Sequence, residues 1–235
     1  MNRTKNRPMA KGRISSKEAC FIGTGLTVSS LAAFHAFQPF TWVISNSIWF
    51  SYLTIYLPMK QKSEYNTLVG AIVGAMPPFI GTFAQTGTLL DPTTWLLASY
   101  IFTWQFPHFY GILYEHKDDY KKAGFVMTSN DDPTGEKTAF KQILACTLSN
   151  TAIPVVMAVQ GSLNPVFVAP FLLAQVNALR AVFRFKNEKG SAASAKNLKR
   201  ASYPPFMVLL IGFVGTTAYS KFNRRRDSDE KEWSV

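Results

Sequence analysis

Charge is what this sequence has least of. Only 17% of its 235 residues are Asp, Glu, Lys or Arg, well below the roughly 25% usual for soluble domains. The deficit is lopsided: 14 acidic residues stand against 25 basic ones, a formal net charge of +11. Cysteine is scarce too. The two cysteines, Cys20 and Cys146, form neither a CxxC nor a metal-ligand spacing. Both fall in or beside apolar runs, which reads as small buried hydrophobes. No signal-peptide pattern is visible, because the polar stretch before the first apolar run is too long and too evenly basic. A positive excess raises nucleic acid as a partner. Here the basic residues are divided among short loops between apolar runs, so binding to a nucleic-acid backbone has no platform.

What is present is apolar sequence, 47% of the chain. A mean hydropathy near zero averages long apolar runs with very polar loops. That pattern predicts an all-α polytopic membrane protein. Seven segments are long enough to span: 19–37, 40–57, 66–86, 95–114, 140–160, 165–185 and 204–219. Pro77-Pro78 and Pro107 are expected to kink or break their helices. Lys and Arg alternate between loops. Residues 1–18 carry six, and the loops 59–65, 115–139 and 186–203 are basic, while the turns between them are bare. The positive-inside rule then puts the N-terminus and the three basic loops on one face of the lipid bilayer. Residues 223–235 read as a disordered polar tail, apart from a transmembrane domain over 1–222.

The chemistry gathers on that face. The loop 115–139 holds Glu115, Asp118, Asp119, Asp131, Asp132 and Glu136 beside the cationic loops. Carboxylates next to Lys and Arg suit a metal-bound phosphate ligand: Mg²⁺ takes carboxylate and phosphate oxygens together, and the cations take the remaining oxygens. If the preceding helix continues one more turn, Glu115 shares a face with Asp118 and Asp119. An ordinary solvated loop explains the same spacing. His108, behind Pro107 in an apolar segment, is either a packing residue or a functional group at membrane depth. Arg180 and Arg184 are explained by snorkelling to the interface.

At these residues the sequence resembles a family. The run "TWQFPHFYGILYEHKDDYKKAGFVM" is similar to the second aspartate motif of the protohaem IX farnesyltransferases (haem O synthases), members of the UbiA-type intramembrane prenyltransferases. The pattern is W-Q-x-P-H-F, an acidic D-Y pair, then A-G-x-x-M. It falls on Trp104, Gln105, Pro107, His108, Phe109, Asp119, Tyr120, Ala123, Gly124 and Met127. Arg3, Thr4, Arg7 and Pro8 resemble the R-T-x-x-R-P that closes the first aspartate motif. Lys60, Asn66, Gly70, Gly74, Ala75, Pro77, Pro78 and Gly81 resemble the central loop and next helix, with Gln61 where Arg is common.

The resemblance implies transfer of a farnesyl group from farnesyl diphosphate to a vinyl group of protohaem IX, giving haem O, the precursor of haem A. It implies Mg²⁺ held by Asp119, Asp118 and Glu115, and diphosphate contacts from Arg3, Arg7, Lys60 and Lys62. Asp119, Asp118 and His108 are the implied catalytic residues. It also implies a place in the mitochondrial inner membrane with the active face toward the matrix, and haem A synthase as a possible neighbour. Two departures stand against this. The family has nine spans and two acidic motifs, whereas these residues supply seven spans and one motif. The expectation is an incomplete chain that forms no product unaided. A prenyltransferase for another aromatic acceptor is the nearest rival. A transporter or a non-catalytic scaffold is more distant, since nearly all charges lie at span ends rather than at the midplane.

Overall fold

The computed structural model describes residues 4–37 and 39–232, and its regular elements there are all helical. The order is α1 (Ser16–Phe37), α2 (Pro39–Ser51), a π-helical turn (Tyr52–Tyr56), α3 (Leu57–Met59), α4 (Asn66–Ala75), α5 (Pro77–Thr86), α6 (Pro92–Glu115), α7 (Lys117–Lys122) and α8 (Thr128–Asp131). Then come α9 (Thr138–Val159), a 3₁₀ turn (Pro165–Phe167), α10 (Val168–Asn187), α11 (Ala192–Ala201) and α12 (Tyr203–Glu232). Among the described residues, long helical stretches occupy the expected span positions. Four stretches have the length and hydropathy of a membrane crossing: Asn66–Thr86, Thr138–Val159, Pro165–Asn187 and Ala192–Ser220. Helices are the natural solution, because lipid offers no partner for a free backbone N–H or C=O.

Proline behaves differently at its two expected sites. The third span does break, with α4 ending at Ala75 and α5 opening on Pro77. A proline at the first helical position loses no hydrogen bond and presets φ. By contrast, α6 passes through Pro107 uninterrupted. The cysteine expectation is corrected: Cys20 is exposed on α1 and Cys146 is only half-buried. The outward face of α1, with Phe21 at 83% exposure, is apolar because lipid, not protein core, is its solvent. At the other end, α12 continues as helix to Glu232, into the tail that composition alone reads as disordered. Once nucleated, a helix adds residues at little cost.

The chain forms two compact units, Met1–Phe102 with Leu113–Pro133, and Thr103–Ile112 with Thr134–Val235. In the first unit, Gly87 ends α5 at φ 68°, and Asp91 caps the start of α6 by accepting from the Thr94 N–H at 2.7 Å. The entry to α1 is a capping box. The Ser15 N–H donates to Glu18 Oε2 at 2.8 Å, and the Glu18 N–H donates to Ser15 Oγ at 3.2 Å. The Ser15 N–H, together with the Ser15 hydroxyl that donates to the same Oε2 at 2.8 Å, holds the Glu18 carboxyl below its ordinary range. A lowered folded-state pKa means the contribution is complete above the unfolded value and is lost as pH falls through the folded one. The Ser15 amide should therefore lose hydrogen-exchange protection on acidification in the parent. It should not do so in Glu18→Gln, which keeps the acceptor without the titration. Equal acid sensitivity in both proteins would refute this account.

In the second unit, polar groups join the helices. Gln175 Nε2 donates to the Thr147 carbonyl at 2.7 Å and to Thr151 Oγ1 at 3.2 Å, tying α10 to α9. Thr103 donates to Asn150 Oδ1, and Tyr110 to Gln142 Oε1. In an apolar surround such bonds do the joining that the hydrophobic effect does in water. Gly111 lets α6 and α11 touch: a Cβ there would lie 2.7 Å from the Lys199 backbone nitrogen and 2.8 Å from the Ala195 carbonyl.

Candidate functional site

The first unit holds the cationic and acidic candidates. The helix ends at Glu115, and His116 leaves helical geometry at φ −126°, ψ 24°. A new short helix, α7, then carries Asp118 and Asp119 in its first turn. The extra turn that would have put Glu115 on one face with the aspartates is absent. Physically, two carboxylates are better placed at a helix N-terminus, whose partial charge is positive, than at the C-terminus of α6. Glu115 instead lies 4.0 Å from His116 Nε2. Asp118 is exposed and Asp119 half-buried.

Beyond α7 the chain turns back on itself. Gly124 sits at φ 72°, left-handed, so the Phe125 N–H can donate to the Tyr120 carbonyl at 3.2 Å and close the helix. This turn lays Val126 alongside the loop before α4. The Val126 N–H donates to the Lys60 carbonyl at 2.8 Å. The Val126 carbonyl accepts from Asn66 Nδ2 at 2.9 Å, and the same amide donates to the Ser63 carbonyl at 2.6 Å. Asn66 is fully buried. The loop carrying Lys60 and Lys62 is thus clasped to the loop carrying Asp118 and Asp119. Lys60 Nζ lies 4.4 Å from the Tyr56 ring centroid, a cation–π contact. That ring needs Gly70 beneath it, where a Cβ would come within 2.6 Å of Tyr56 Cε2. Tyr114 Oη donates to the Asp132 carbonyl at 2.5 Å and Lys117 Nζ to the Pro133 carbonyl at 3.2 Å, which pins the far end of the acidic loop.

The other phosphate candidates stand apart. Lys62 is exposed. Arg7 lies in the turn before α1, at an open groove of about 400 Å³ with Ile14 and Ile22, and makes no ion pair among the described residues. Arg3 lies outside the described residues. Among those described, no three Asp, Glu, His or Cys side chains converge as a metal cage.

His108 belongs to the second unit, roughly 10 Å in from the end of α6 at 1.5 Å per residue. Its ring stacks on Trp104 at 4.9 Å and meets the edge of Tyr203 at 4.8 Å. Trp104 Nε1 donates to the Ser202 carbonyl at 2.8 Å. Ser202 has one hydroxyl proton, directed at the Lys199 carbonyl 2.8 Å away, so its contact with His108 Nδ1 at 3.2 Å makes Nδ1 the donor. The Nε2 lone pair is then left free among the described residues.

An all-helical membrane scaffold that clasps a cationic loop to an aspartate loop defines a class. The chain belongs to the UbiA prenyltransferase family, which matches residues 1–203. Within it, the chain is similar to proteins named protoheme IX farnesyltransferase. One from Christiangramia forsetii is 37% identical over 222 residues, covering 91% of this chain and 71% of its own length. The mitochondrial protein of Yarrowia lipolytica is 40% identical over 134 residues, 57% of this chain and 28% of its own. The human mitochondrial protein is 38% identical over 157 residues, 66% and 35%. This chain therefore spans well under half the length of those two mitochondrial relatives. No solved structure matches it.

Proposed function

We propose that the protein transfers a farnesyl group from farnesyl diphosphate to a vinyl group of protohaem IX, giving haem O for conversion onward by haem A synthase. The names of its relatives support the acceptor. The observation that carries the reading is the clasp at Val126, which ties the loop of Lys60 and Lys62 to the segment that follows Asp118 and Asp119. Residues 1–222 would form the prenyltransferase domain, with 223–235 as a polar appendage. The active face would lie on the matrix side of the mitochondrial inner membrane.

Asp118 and Asp119 would supply carboxylate oxygens to Mg²⁺, a cation that takes one or two carboxylates and completes its shell from phosphate and water. Glu115 fits less well, beyond the break at His116. When bound, Mg²⁺ supplies positive charge to the departing diphosphate. Lys60, Lys62, Arg7 and Arg3 would neutralise the remaining phosphate oxygens. The apolar helices would hold the isoprenoid and keep water from the allylic cation. The C1–O bond breaks and its electron pair leaves with diphosphate; the vinyl π electrons bond C1 to the terminal vinyl carbon, and water adds to the cation left on the inner carbon, giving a hydroxyl and releasing a proton. His108 would be the side chain to take up the proton that this water gives up.

The donor is tested with the full chain in lipid nanodiscs. Radiolabelled farnesyl diphosphate should bind only with Mg²⁺ and should be displaced by inorganic diphosphate. Binding unaffected by either would overturn the site. The acceptor is tested in cells lacking haem O that express a form carrying both acidic motifs. A farnesylated haem upholds it, and farnesylation of a different aromatic ring overturns it.

A further inference from the structure

The Asn66 side chain donates to backbone carbonyls rather than to any group assigned to phosphate or metal, yet it occupies the joint between the loops that carry them. Its Nδ2 has two protons and two acceptors, the carbonyls of Ser63 and Val126. The first lies in the loop of Lys60 and Lys62. The second lies 60 residues further along the chain, just beyond Asp118 and Asp119. With two carbonyls to serve, only the nitrogen can face them, which fixes the amide orientation. The Val126 N–H returns a bond to Lys60 itself. One residue, Val126, is therefore held at its N–H by the cationic loop and at its carbonyl by the first residue of α4. Asn66 closes the half of that clasp that a side chain can control.

We propose that Asn66 is a positioning residue for the prenyl diphosphate: by clamping Val126 it fixes the separation between the Lys60 loop and the Asp118 and Asp119 turn. The inference rests on the diphosphate reading above. Burial makes the clamp strong, because an unpaired carbonyl in an apolar surround has no water to turn to. Among the described residues no other side chain bonds to Val126, so the side-chain half of the joint rests on Asn66. Gly124 approaches the same joint from the other side, since its left-handed φ aims Val126 at Lys60.

Two near-isosteric variants remove the donor. Asn66→Leu leaves the carbonyls unpaired, and Asn66→Asp turns a carboxylate on them. Gly124→Ala, which strains the turn but keeps Asn66, is the variant to use should the buried substitutions not fold. Hydrogen exchange and ligand binding are read on the full chain in nanodiscs. The Val126 amide should exchange roughly tenfold faster in each variant, while α9 and α10 keep their protection. The Kd for farnesyl diphosphate with Mg²⁺ should rise roughly tenfold or more, while that for farnesol stays unchanged. This split marks positioning of the phosphate, since general loosening would weaken both ligands.

Unchanged Val126 exchange in folded variants overturns the clamp. Faster exchange with unchanged diphosphate affinity overturns the positioning role. Should the parent chain itself bind no farnesyl diphosphate, the diphosphate reading falls and the positioning role with it. The exchange result would still decide whether Asn66 holds the loops together.

Discussion

Replacing Gly111 by alanine should destabilise the second unit by about 1–3 kcal/mol, and valine by more. The reason is what the new carbon meets. The neighbours at 2.7 and 2.8 Å are backbone atoms of α11, not the ends of flexible side chains. Neither helix can yield locally, so α11 must move off α6. The Ser202 carbonyl and hydroxyl would move with it, and they are the partners of Trp104 and His108. Gly23→Ala is the matched control, because nothing lies within 4 Å of a Cβ there. It removes a glycine from a helix interior and should be neutral or slightly stabilising. Unfolding in mixed detergent micelles, followed by the far-ultraviolet helical signal, measures both. Gly111→Ala proving as stable as Gly23→Ala would show that the two helices do not make this approach.

The second large effect is chemical. The double variant Asp118→Asn, Asp119→Asn should lose Mg²⁺-dependent binding of farnesyl diphosphate by on the order of 100-fold or more, since a bound metal supplies several kcal/mol. The fold should survive, because Asn serves nearly as well as Asp at a helix N-terminus and Asp118 is exposed. Asp131→Asn is the control. It removes one exposed carboxylate from the same loop, in α8, and should bind as the parent does. Equal weakening by Asp131→Asn would reduce the aspartate pair to general surface charge. Isothermal titration with and without Mg²⁺ separates these outcomes.

Much of the helical scaffold could be read from the chain. Lipid forces each crossing to satisfy its own backbone, so apolar length alone marks a helix. Pro77 marked a break because proline suits a helix start. At Pro107 the helix runs on without a break, because a proline's lost bond can be absorbed when neighbouring helices surround it. The break at His116 was hidden, since neither Gly nor Pro stands there. Only the preference of Asp118 and Asp119 for a helix N-terminus hinted at it. The site was partly legible. Gly124 advertised a turn, but not that Val126 would then lie beside Lys60. That bond joins backbone groups every residue possesses, so no side-chain pattern could announce it. Likewise, nothing near His108 in sequence signals Ser202, which is 94 residues away.

The same clasp fixes an order of assembly. The Lys60 loop is complete long before Val126 is made, and α4, α5 and α6 lie between them. By connectivity alone, the loop must wait while the chain crosses the membrane and returns. Only then can the Val126 backbone reach it. The polar face of the first unit is therefore among the last parts of that unit to be joined as the chain is synthesised and inserted.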